Sequence, residues 1–298
     1  MIVVTTPTGA IGSQVVQTLV AQGEAVRVIA REPSRLPEPL RGRVEVVAGS
    51  HGDAAVLDRA FAGAEAVFWV VPPDFRTADL MAGYVDFSRP AADAIRRHGV
   101  GRVVAISALG RGTPWADRAG PVTAALAMSD LVGARATNFR ALTLPGFMEN
   151  MLMQKAAIRD KGMFFLPYQP TLRVPMCATR DIAAAAVALL VDRTWRGKAD
   201  APMLGPEDLT YTEVAAIISE VLGRTIRFQP ISIDAYREQM KSFGSSAAMA
   251  EGLAAMMDAK NHGLDNGEVR TPQNSSPTTY RAWCEAVLRP AILRPAAA

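Results

Sequence analysis

Gly9 and Gly12 close a turn rich in hydroxyls, Thr5-Thr-Pro-Thr-Gly-Ala-Ile-Gly12, and the spacing suits a strand that turns into a helix. A helix starting there aims unpaired backbone N–H groups and the positive end of its dipole at the turn, which is the chemistry of anion binding. Thr6, Thr8, Gly9, Ala10, Ile11 and Gly12 are the candidate contacts to a pyrophosphate. Gly9 lets the backbone approach the phosphates, and Gly12 lets the helix pack closely on the sheet. The pattern G-x-x-G-x-x-G asks for glycine where Thr6 stands, although a threonine can still turn the chain and offer a hydroxyl. The competing reading is an ordinary strand-to-helix turn that uses both glycines for packing alone.

A second cluster, Arg31-Glu-Pro-Ser-Arg35, follows the next strand. A carboxylate at that strand end accepts from a ribose 2′-hydroxyl and selects NAD, whereas a guanidinium fork suits a 2′-phosphate. Arg31, with Arg35 and Ser34 beside it, favours NADP(H); Glu32 is the residue that would turn the preference toward NAD. Solvated surface arginines are the plain alternative.

These residues need a scaffold. Ile2–Val4 reads as a buried parallel strand, the run through Ile11, Val15, Val16, Leu19 and Val20 as a helix, and residues 25–30 as a second strand. Further strands are expected at 44–47, 66–71, 103–106 and 138–144, with helices at 54–61, 77–98 and 121–131 between them. The alternation predicts an α/β fold, a doubly wound parallel sheet of the Rossmann type, in residues 1–146 and roughly 181–205. Ligands of such a sheet sit at the carboxyl ends of its strands, which nominates Val71, Pro72, Ser107 and the turn Pro145-Gly146-Phe147 as cofactor contacts. A smaller, mostly helical C-terminal domain is expected in 147–180 and 206–298. Its expected helices are 147–159, 247–260 and 278–288, with a capping box of Thr210 and Glu213 opening a helix that Gly223 stops. The 181–190 helix and a last strand at Pro202–Leu204 belong to the sheet domain. Met249, Met256 and Met257 are read as core, with an apolar pocket wall as the alternative.

The net charge of +3 and scattered basic residues exclude a nucleic-acid surface. Two cysteines and three dispersed histidines, His51, His98 and His262, imply neither a disulfide framework nor a metal site, and the histidines are read as surface or helix-end residues. No long uncharged apolar run spans a membrane, and the apolar N-terminus lacks a basic leader, so a cytoplasmic protein is expected.

In addition, several segments together resemble the NmrA-like family of atypical short-chain dehydrogenases/reductases. Thr5–Gly12 is similar to that family's T-G-x-T-G-x-x-G turn with one glycine lost, and Arg31-Glu-Pro-Ser-Arg35 to its R-D-P-S-K segment. Leu144-Pro-Gly-Phe-Met-Glu-Asn150 resembles R-P-G-x-F-M-E-N with Leu144 in place of arginine, and Arg180-Asp-Ile-Ala183 matches R-D-I-A. Leu204-Gly-Pro-Glu-Asp-Leu-Thr210, then Glu213 and Leu222-Gly-Arg224, resembles the C-terminal pattern. The resemblance covers nearly the whole length and implies NADP(H) binding. Leu126 occupies the place where relatives often carry lysine or histidine, and Asp130 the acidic place after it.

No tyrosine has lysine four residues on, and the first lysine is Lys155, so the usual tyrosine–lysine proton donor is missing. Ser107 stands at the family's serine position, where it caps a loop, touches the nicotinamide ribose or orients a carbonyl. Two readings follow. One is an NADPH-dependent reductase of a quinone-, azo- or enone-type acceptor, a small aromatic or conjugated substrate. The other is a non-catalytic NADP(H)-binding redox sensor that regulates a protein partner.

Overall fold

The computed structural model describes residues 1–293. Short β-branched and aromatic runs form the strands β1 (Ile2–Val4), β2 (Val26–Ala30), β3 (Glu45–Ala48), β4 (Ala66–Trp69), β5 (Arg102–Ala108), β6 (Asn138–Leu144), β7 (Met163–Leu166), β8 (Lys198–Pro202) and β9 (Arg227–Pro230). Packing divides the chain into two units. The first contains Met1–Ala108, Thr123–Thr143 and Ile182–Pro202; the second contains Leu109–Val122, Leu144–Asp181 and the described residues from Met203 on.

The first unit holds a parallel sheet in the order β3-β2-β1-β4-β5-β6-β8, flanked by helices. Ile2 pairs with Val26 on one side and Ala66 on the other, so β1 sits where the strand order reverses. That switch point is where a parallel sheet opens a crevice at its carboxyl edge. Val3, Ile29, Val67, Trp69 and Val103 share one core with the helices Ala54–Phe61, Phe87–Arg97 and Pro121–Arg135. The alternate residues Ile2, Val4, Val28, Phe68 and Val104 are fully buried as well. Both faces are covered, which is why these strands read as continuous apolar runs rather than alternating ones.

Several boundaries differ from those expected. Strand β4 ends at Trp69 rather than Val71, because Thr5 Oγ1 accepts from the Val70 N–H (2.9 Å) and donates to the Phe68 carbonyl (3.0 Å). The helix expected from Thr77 starts later, with the Asp79 carboxylate accepting from the Met81 (2.7 Å) and Ala82 (3.2 Å) N–H groups. It opens as a wide π-turn, Ala82–Asp86, just ahead of Pro90, whose missing N–H would have paired with the Asp86 carbonyl. The last strand is Lys198–Pro202, and Leu204 instead pairs with Ser275 in the second unit.

In the second unit β7 and β9 pair in parallel, and Phe164 stacks on Phe228 with ring centroids 5.4 Å apart. The segment expected as one helix from Phe147 is a 3-10 turn, Met148–Gln154, followed by the helix Lys155–Lys161. The last expected helix is likewise broken into Tyr280–Trp283, a π-turn at Cys284–Leu288, and Arg289–Leu293. Met256 and Met257 belong to this unit's core, and Met249 is fully buried. The segments shared with the resembled family act here as clamps. Glu149 accepts from the Thr179 N–H (3.0 Å), the Thr179 hydroxyl (2.8 Å) and Trp283 Nε1 (3.2 Å). Asp181 accepts from the Thr278 N–H (3.0 Å) and hydroxyl (2.8 Å). Thr210 and Glu213 form the expected capping box, and Gly223 ends that helix in the left-handed conformation.

Candidate functional site

Strand β1 hands the chain to the helix α1 (Gly12–Ala21) through the turn Thr6–Gly9, in which the Thr6 carbonyl accepts from the Gly9 N–H at 3.0 Å. Thr6 takes φ +51°, the only non-glycine residue with positive φ among those described. That conformation costs a β-branched residue about 1–2 kcal/mol, and it is the one that the fingerprint's missing glycine would supply. A Cβ on Gly12 would meet the Thr6 carbonyl carbon at 2.9 Å, its oxygen nearer still, and the Thr5 oxygen at 3.2 Å. Gly12 is therefore required by the turn's own backbone. No side chain caps α1, so its first N–H groups face the turn without a side-chain acceptor.

A cleft of about 260 Å³ opens at this edge of the first unit, lined by Thr6, Thr8, Gly9, Arg31, Arg35 and Pro72 of the nominated residues. Glu32, Gly49 and His51 line it too. Arg31 and Arg35 are exposed, and Arg35 lies 3.8 Å from Glu32 in an open pair. The Arg31 guanidinium has no hydrogen bond or ion pair among the described residues. Ala10, Ile11, Gly12, Val71 and Ser107 do not line this cleft. Ala10 is exposed, Ile11 and Gly12 are buried at the helix start, and Val71 packs against the core. Ser107 lies on β5, is buried, and its hydroxyl has no hydrogen-bond partner among the described residues. Pro145, Gly146 and Phe147 belong to the second unit, where Phe147 bridges to Cys177.

His51 departs from the surface or helix-end placement expected of it. His98 and His262 do end helices, but His51 is 8% exposed, with ring centroids 5.3 Å from Trp69 and 4.9 Å from Phe87. Its Nε2 has no hydrogen-bond partner among the described residues. Burial, reinforced by the Arg31 charge and opposed by the Val70 carbonyl, pushes its pKa down to about 4. Nothing in a lone Gly-Ser-His-Gly loop signals this; the aromatic walls come from β4 and the helix at Phe87.

The residues fit a dinucleotide. A left-handed turn, an uncapped helix start, an unpaired guanidinium at the next strand end and the orphaned buried Nε2 of His51 give one cleft donors of the kind that phosphate groups need. Among the described residues no cluster of three or more His, Cys, Asp or Glu is placed to hold a metal ion, and no helix is long and apolar enough to cross a membrane.

Residues 7–163 match the sequence profile of NAD(P)H-binding proteins, and residues 133–283 that of the NmrA-like family. A (4-alkanoyl-5-oxo-2,5-dihydrofuran-3-yl)methyl phosphate reductase of Streptomyces griseus is 37% identical over 249 residues, covering 80% of this chain and 79% of the relative. An NAD(P)H azoreductase of Xenophilus azovorans is 29% identical over 85% of both chains. The triphenylmethane reductase of Citrobacter sp., solved with NADP(H), shares the fold with a TM-score of 0.79 at 20% identity, over 96% of this chain and 100% of that one. With these matches spanning the cleft and the clamps alike, the chain belongs to the NmrA-like family of NAD(P)H-binding, Rossmann-fold proteins.

Proposed function

We propose that this protein is an NADPH-dependent reductase that passes hydride to an electron-poor conjugated acceptor of the quinone, azo or enone type, without a tyrosine–lysine pair. The relatives named above support reduction, and the observation that carries its direct form is the state of the tyrosines. All five have their pKa values raised, each chiefly by burial, Tyr84 to about 12. None has the lowered pKa that a neighbouring lysine imposes on a proton-exchanging tyrosine. Relatives that reduce a furanone phosphate and azo compounds, by their names, support an acceptor that takes hydride directly.

In this reading the N–H groups of the turn and of the α1 start hold the pyrophosphate, with the Thr6 and Thr8 hydroxyls beside them. Arg31 receives the 2′-phosphate, and Arg35 and Ser34 assist. Pro72 and Ser107, at the ends of neighbouring strands, border the nicotinamide half. Bound NADPH supplies the hydride. The acceptor then takes its proton from water, so the chain's task is to orient and to exclude side reactions.

The test is NADPH oxidation against a panel of quinones, azo dyes and unsaturated acyl lactones. At least one should be reduced. Arg31→Ala should weaken NADPH roughly ten- to hundredfold, the value of a charge-assisted hydrogen bond at about 1.5–3 kcal/mol, and leave NADH nearly unchanged. Equal losses for both nucleotides would overturn the NADP(H) assignment. Tight NADPH binding with no acceptor reduced would favour the sensor reading.

A further inference from the structure

His51 is held more firmly than a cleft-lining surface residue needs. The loop Gly49–Gly52 after β3 is pinned by the Asp53 N–H donating to the Ser50 carbonyl (3.1 Å) and the Gly52 N–H donating to the Ser50 hydroxyl (3.2 Å). A Cβ on Gly52 would stand 2.5 Å from the Phe87 ring, so the loop lies directly on the aromatic that also walls His51. The imidazole is thus fixed between Trp69 and Phe87, in the same cleft as Arg31, with an unpartnered nitrogen.

We propose that His51 is a second determinant of NADP(H) over NAD(H): neutral in the free protein, its ring takes a proton from solvent when a phosphate dianion is seated on Arg31. The inference rests on the reading that Arg31 receives the 2′-phosphate. In the free protein, burial and the Arg31 charge both oppose a second cation in the cleft. A dianion on Arg31 cancels that repulsion and adds an attraction to a ring that is itself 8% exposed and so poorly solvated. The Val70 carbonyl beside the ring favours the protonated form throughout.

The other charges around the ring do not substitute for the phosphate. Glu32 and Arg35 line the cleft as a mutually opposed, exposed pair. The Asp53 carboxylate accepts from the Ala55 and Val56 N–H groups and so caps its helix. Trp69, Val70 and Pro72 bring no charge from the β4 side. On the element that carries Phe87, Asp86 and Arg89 pair with each other at 2.8 Å. A protonated His51 therefore finds its missing negative partner in the ligand.

The experiment is calorimetry of NADPH, NADH and 2′,5′-ADP binding at about pH 6 to 7 in buffers of differing ionisation enthalpy. NADPH and 2′,5′-ADP should take up protons on binding, and NADH should not. The phosphate's own titration near pH 6 cannot mimic this, because selecting the dianion releases protons. His51→Gln should abolish the uptake and weaken NADPH about tenfold at the acid end, with NADH unchanged. As a check independent of the variant, the His51 ring resonance of the wild-type protein should titrate at higher pH with 2′,5′-ADP than without. Absence of proton uptake with NADPH after the phosphate's own release is subtracted, uptake that survives His51→Gln, or an unmoved His51 titration would each overturn the proposal. A failure of the Arg31 reading looks different: Arg31→Ala would then leave the NADPH-to-NADH preference intact.

Discussion

Gly12→Ala puts one methyl group against the backbone of the phosphate-facing turn, and its cost follows from what that methyl meets. The carbonyl carbon of Thr6 would lie at 2.9 Å and the Thr5 oxygen at 3.2 Å, with the Thr6 oxygen nearer than either. All three are main-chain atoms between a buried strand and a buried helix start, so no rotamer change relieves them. Forced overpacking of this kind costs about 1–3 kcal/mol. With a urea slope of about 1–3 kcal/mol/M, that moves the midpoint by roughly 1 M. Two further glycines calibrate the scale. Gly9→Ala meets the Thr6 oxygen at 3.3 Å and should lose less, whereas Gly42→Ala meets nothing within 4 Å, has φ −85°, and should be neutral or slightly stabilised. Urea unfolding of the three variants beside NADPH titrations checks the order. Because Thr6 lines the cleft, Gly12→Ala should also weaken NADPH by more than Gly9→Ala does. A Gly12→Ala protein with wild-type midpoint and affinity would refute the claim that this glycine is dictated by the turn's backbone.

Other perturbations separate the clamps from the cleft. Glu149→Gln turns an acceptor toward donation at Thr179 and should lower stability by about 1.5–3 kcal/mol, read as a urea midpoint shift with NADPH affinity retained. The free protein should lose stability as pH falls from 6.5 toward 4, because the unfolded chain protonates His51 near its ordinary 6.5 while the folded chain holds it neutral to about 4. At ~1.4 kcal/mol per pH unit that window is worth about 3 kcal/mol, and His51→Gln should flatten it. Tyr84→Phe should leave acceptor reduction nearly unchanged, since that buried hydroxyl is pushed up to about 12, and alcohol oxidation by the wild-type protein should be negligible at any pH. Robust alcohol oxidation abolished by Tyr84→Phe would contradict the proposed chemistry.

What the sequence displays best is what local chemistry decides. The β1–α1 turn, the Thr210–Glu213 capping box and the glycine stop at Gly223 are written in adjacent residues, and all three are found. The helix Ile233–Ser242 and strand β9 are not legible. The helix buries only Met240, so it shows no apolar stripe, and Arg-Phe-Gln-Pro carries a single large apolar side chain whose partner, Phe164, is remote in sequence. His51 escapes notice for the same reason. Its burial comes from Trp69 and Phe87, which only the folded sheet and helix bring to it. The anchoring roles of Glu149 and Asp181 also need partners 134 and 97 residues away, Trp283 and Thr278.

The interleaving of the two units along the chain sets the order in which they can form during synthesis. The sheet's last strand, β8, ends at Pro202, after the whole Leu144–Asp181 segment of the second unit has been made. That segment carries Met148, Met151, Phe164 and Tyr168, core residues whose partners at Tyr211, Phe228 and Trp283 come later still. A nascent chain therefore carries unmatched apolar surface from both units at once, with β6 waiting for β8 and β7 for β9. Contacts of such long sequence separation make closure slow, and a chain stopped shortly before Phe228 would retain β7 as an unpaired edge open to association with its neighbours.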